Sequence, residues 1–160
     1  MNQSIGVIGV GNPLRQDDGI GLVLLNQMRK KFRSSSANIS FVDGGTGGMN
    51  LLYLFDRFDV IVFLDAVDFH GKAGETRFFS FDDVRSQKHA STVSTHHADL
   101  FQIIQLGKNL DMCTDHIFIF GVQPQRVSFG EGLSEPLTLA LNDISNHLFK
   151  EVSRIIDSFL

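Results

Sequence analysis

Two adjacent carboxylates, Asp17 and Asp18, close a glycine-rich turn in the stretch GVGNPLRQDDGIG, residues 9–21. Glycines after the hydrophobic run IGVIGV would suit a nucleotide phosphate, yet paired acids put negative charge where a phosphate wants positive. The third glycine of a dinucleotide fingerprint is replaced by Leu14, and the first later acid at a strand end, Asp43, arrives late. Three other segments carry groups fit for chemistry: the loop DGGTGG (43–48), Asp65 after the apolar run VIVFL, and His96 with His97 beside it. An acid of the turn, Asp65 and His96 form a hard-to-borderline nitrogen and oxygen donor set, suited to nickel, zinc, cobalt or manganese. Three protein ligands leave positions open for water or substrate. HExxH, a GxSxG elbow and a Walker loop are all absent from the chain.

Each residue also has an ordinary explanation. Asp17 or Asp18 could cap the following helix. Asp65 could close an Asx turn, His96 could sit on the surface near a helix start, and the glycines could serve only positive φ. What favours a site is where the flanking elements must put these residues. Ile5–Val10, Ile39–Asp43, Val60–Leu64, Thr76–Phe81 and His116–Val122 read as strands, the fourth at a sheet edge. Ile20–Phe32 and Met49–Phe58 read as helices, and another helix begins near Ser94–His96. Residues 82–93 read as loop. After Pro136, residues Leu137, Leu141, Ile144, Leu148, Val152, Ile155 and Phe159 recur at helical spacing.

Strands alternating with helices predict an α/β fold: a three-layer sandwich with a mostly parallel sheet of about five strands between helices. In such a fold the carboxyl ends of the strands share one rim. The turn acids follow the first strand, DGGTGG the second and Asp65 the third. His96 starts a helix on that same edge. Cys113 and His116 precede a strand and belong to the opposite edge, which makes Cys113 a packing residue.

The chain has 160 residues, a net charge of −4 and one cysteine. That length predicts a single domain over 1–160. The acidic balance argues against nucleic acid as a partner. A lone cysteine excludes an internal disulfide and suits a reducing compartment. Neither a signal peptide nor a membrane-spanning run is evident, so a cytoplasmic address without membrane association is expected.

The blocks GVGNPLRQDDGIG, VDGGTGG, LDAVD, STH and GVQP, in this order and spacing, resemble the hydrogenase maturation endopeptidases, from residue 5 to about residue 141. The resemblance implies a twisted, mostly parallel sheet between helices. It also implies an activity: removal of the C-terminal extension of the nickel–iron hydrogenase large-subunit precursor after nickel insertion. Matched motif by motif, the family's metal-contacting residues fall on Asp18, Asp65 and His96, with Asp18 and Asp65 as candidate catalytic groups. Gly44, Gly45, Thr46 and Gly47 would let a substrate main chain approach closely. Nickel would arrive in the precursor, and the protein would work as a monomer with an open rim. A nonproteolytic nickel carrier or sensor is the alternative reading.

Overall fold

Five short runs rich in β-branched and aromatic residues form one sheet in the computed structural model, which describes residues 3–32, 38–86 and 97–160. These are β1 (Ile5–Gly9), β2 (Ile39–Asp43), β3 (Val60–Ala66), β4 (Thr76–Ser80) and β5 (His116–Val122), arranged in the order β2-β1-β3-β5-β4. The β1–β2, β1–β3 and β3–β5 pairs are parallel; β4 runs antiparallel to β5 at one edge. The α/β architecture expected from the sequence is the one observed.

The helices fall on both faces because the strands are apolar on both. Along β3, Val60, Val62, Leu64 and Ala66 enter the core beneath α1 (Ile20–Lys31) and α5 (Glu135–Phe159). The alternate residues, Ile61 and Phe63, enter a second core under α2 (Leu52–Phe55), α3 (Phe81–Ser86) and α4 (His97–Asn109). Each fully buried side chain of this kind stabilises the fold by roughly 1.5–3 kcal/mol. On α5, Leu137, Ile144, Leu148, Val152 and Ile155 are buried, while Leu141 and Phe159 are partly so.

Three local readings change. β3 does not stop at Leu64, because Asp65 pairs with Gly121 and Ala66 with Val122. The helix expected over 49–58 is a 3-10 turn (Gly48–Leu51) followed by α2, which ends at Phe55. The loop expected over 82–93 begins instead as α3: Phe81 is buried against Phe101 at 5.7 Å between ring centroids, and Asp82 and Asp83 suit the positive pole of the first turn. Residues 87–93, like most of the link 34–38, lie outside the described residues.

Candidate active site

The rim at the carboxyl ends of β1 and β3 is built by backbone stitching beyond the strands themselves. Val10 N–H donates to Leu64 O (2.9 Å), Gly44 N–H to Gly9 O (2.8 Å) and Gly11 N–H to Gly45 O (2.9 Å). These bonds draw the loops after β1 and β2 against the end of β3. Two glycines permit the approach. A Cβ on Gly11, at φ +144°, would strike the Asp18 carbonyl, and a Cβ on Gly21 would strike the carbonyls of Leu64 and Val10. The first turn of α1 therefore lies directly on the strand ends, with Asp18 above them.

A small cleft results. Asp18 and Asp65 line it together with Thr46, Gly47 and Gly48, and Val10, Gly11, Leu51 and Leu100 complete the described wall. Asp18 is 9% exposed and Asp65 5%. The Asn12 N–H donates to Asp18 Oδ2 at 3.1 Å and orients that carboxylate. Asp65 shares the strand parity of Ile61 and Phe63, the α4 side of the sheet. No Lys or Arg is among the described residues of this wall, so the cleft suits a cation or a polarised water and repels a phosphate.

Asp17, the other turn acid, has a separate task. It is fully buried, and its Oδ2 accepts the N–H groups of Gln125 (2.9 Å) and Arg126 (2.8 Å) and the Ser134 hydroxyl (2.8 Å). Its Oδ1 accepts the Ser134 N–H at 2.7 Å. Asp17 thus ties the glycine turn to the segment that leads into α5. Neither acid caps α1, whose N-cap position is Gly19 without a side-chain hydrogen bond.

His96 lies outside the described residues, and the structure describes no side chain for His97. α4 starts at His97, and Leu100 in its first turn lines the cleft, so that helix begins at the rim. Among the described residues no group of three His, Cys, Asp or Glu is placed to hold a metal ion. Of the four residues proposed for the substrate main chain, Thr46 and Gly47 line the cleft. Gly44 packs behind it, near Ile8 and Leu51, and Gly45 bonds back to Gly11 and Asp43. Gly48, the last glycine of the DGGTGG loop, joins the lining.

Gln123 stands in the GVQP block, which marked the resemblance without giving this amide a task. Buried, it accepts the N–H groups of Phe69 (2.9 Å) and Gly71 (3.0 Å) and donates to Asp68 (3.1 Å), shaping the loop that leaves β3. Cys113 sits at the opposite edge, as expected. It packs against the α2–α4 core, and burial pushes its thiol up to about 11, so it is no thiolate nucleophile at neutral pH.

The sequence profile of the family described as hydrogenase maturation protease matches residues 23–151. The chain belongs to that family. Among curated relatives, the hydrogenase expression/formation proteins HupD of Bradyrhizobium diazoefficiens and of Thiocapsa roseopersicina are similar to it. The first is 27% identical, covering 86% of this chain and 69% of its own; the second is 31% identical, covering 79% and 58%. HupD of Rhodobacter capsulatus is 30% identical over 74% of this chain and 56% of its own, so the protein spans little more than half the length of the latter two. The fold matches the hydrogenase maturating endopeptidase HybD from Escherichia coli with a TM-score of 0.75 at 19% identity, over 94% and 93% of the two chains. The maturation protease HycI from Thermococcus kodakarensis matches with a TM-score of 0.71 at 23% identity, over 98% and 94%. The fold is thus shared over nearly the whole length of this chain, and the family to which the chain belongs is one of proteases.

Proposed function

We propose that this protein removes the C-terminal extension of a nickel-loaded hydrogenase large-subunit precursor, using Asp18, Asp65 and His96 to read the precursor's nickel. The observation that supports this reading most is that Asp18 and Asp65, from separate segments, line one cleft beside the main chain of Thr46, Gly47 and Gly48. Two carboxylates and an imidazole, with no thiolate, hold a borderline metal only modestly. Nickel seated in the precursor and offering vacant positions would complete a shared coordination sphere and bring the adjacent peptide over the glycine loop. One of the two carboxylates then acts as base toward the attacking water. Neutral His96 is required for coordination, so activity falls in acid as the imidazole takes up a proton. The single cysteine fits work in the cytoplasm, and an open rim fits a monomer.

The deciding experiment incubates the purified protein with nickel-loaded and nickel-free precursor, adding no metal, and follows the precursor by mass spectrometry. Mass loss confined to the nickel-loaded form is expected. Equal cleavage of both forms would remove the metal-reading role. Binding without any mass loss would favour a nonproteolytic nickel-binding factor.

A further inference from the structure

Nine of the described residues line the cleft, whereas specific protein–protein contacts engage about 20–30 residues a side. Additional surface beside the cleft must contribute, and the glycine turn carries it. Leu14 is 56% exposed and Phe129 is 87% exposed. Their two segments are laced together: Gly130 N–H donates to Leu14 O (3.0 Å), Gln16 N–H to Gly130 O (3.1 Å) and Asp17 N–H to Arg126 O (3.0 Å). The Ser128 hydroxyl donates to Gln16 Oε1 at 3.2 Å, and the buried Asp17 carboxylate fastens Arg126 from below. Large apolar side chains are thus held out into water on a braced double segment. That segment is continuous with Gly11 and Asp18, which line the cleft.

We propose that Leu14 and Phe129 form a preorganised apolar anchor that docks on the folded body of the large-subunit precursor and delivers its C-terminal segment to the cleft. The proposal rests on the precursor being the substrate. An aromatic side chain carried on a backbone braced before binding spares the backbone's share of the ordering entropy on docking, and such residues carry a large share of interface energy. Because the anchor and Asp18 share one braced turn, docking also fixes the cleft relative to the bound protein. Specificity for a whole folded precursor then needs no deep side-chain pocket.

The test measures both the affinity for immobilised nickel-loaded precursor and the steady-state cleavage kinetics. It compares the wild type with Leu14→Ser, Phe129→Ser and Phe129→Leu. Leu110→Ser serves as control, because Leu110 is similarly exposed (55%) but follows the far end of α4. We expect Phe129→Ser to raise Kd and KM about tenfold or more with kcat little changed. Leu14→Ser should act in the same direction, Phe129→Leu should recover most of the affinity, and Leu110→Ser should match the wild type. Unchanged Kd and KM in Phe129→Ser and Leu14→Ser, with a wild type that cleaves, would overturn the anchor and leave the protease reading standing. A wild type that binds through Phe129 without cleaving would sink the protease reading and keep the anchor. A wild-type dimer in light scattering that Phe129→Ser converts to monomer would assign the patch to self-association instead.

Discussion

Asp17 and Asp18 are chemically identical neighbours, and their surroundings give them opposite duties. Asp17 is saturated by backbone and hydroxyl donors, whereas Asp18 faces the cleft. Asp17→Asn puts an amide donor against N–H donors and should cost roughly 2–4 kcal/mol, read as a shift of the urea midpoint. Asp18→Asn and Asp65→Asn should abolish processing while leaving the urea midpoint near wild type or slightly higher, since removing one acid of a rim relieves like-charge repulsion. His96→Ala should lose processing as well. Full activity in two of these three variants would discard the site.

Cys113 offers a pH test at the same scale. Its thiol is raised from 9.0 to about 11 by burial, so the folded state prefers the protonated form. The stability this contributes is complete below pH 9 and is lost as pH rises from there through 11. Alkylation of the native protein by iodoacetamide should therefore be slow at pH 8 and accelerate only toward pH 11, whereas the urea-unfolded chain reacts readily near pH 9.

Among the elements, the junction of α1 with the strand ends matters most. Gly21 lets the helix rest on the carbonyls of Leu64 and Val10. Gly21→Ala should push α1 outward, cost about 1–3 kcal/mol or more, and lower processing, because Asp18 rides on the same turn. At the opposite edge, the Ser4 N–H (2.7 Å) and hydroxyl (2.8 Å) both donate to Asp59 Oδ2 and tie the start of β1 to the start of β3. Those bonds, the Ser4 N–H first, hold the Asp59 carboxyl below its ordinary value of 3.8. The tie is intact above that value and is lost as pH falls through the lowered pKa. Asp59→Asn should flatten the acid end of a pH series of thermal melts.

For the whole molecule, stability and site chemistry are housed apart. Two apolar cores close the sheet on its two faces, and the acids stand at its rim. Treating the isolated protein with EDTA should therefore leave its Tm unchanged, and under the proposed function processing of a nickel-loaded precursor should need no metal added to the protein. Among the described residues no helix is long and apolar enough to cross a membrane.

The sequence by itself determined the strand and helix alternation, and through it the parallel sheet and the shared rim. Period-2 and period-3.6 apolar patterns are local, and burial on both faces leaves β3 little choice of conformation. The blocks at the strand ends likewise announced Asp18, Asp65 and the glycine loop. Tertiary structure alone decided which turn acid braces the fold, because Asp17's donors come from residues 125–134, far along the chain. It also decided that a helix starts at Phe81 where its ring packs on Phe101, that Gln123 shapes the loop after β3, and that the segments carrying Leu14 and Phe129 are bonded to each other. None of these contacts has a local pattern. Each depends on a partner brought close only when distant segments pair across the sheet.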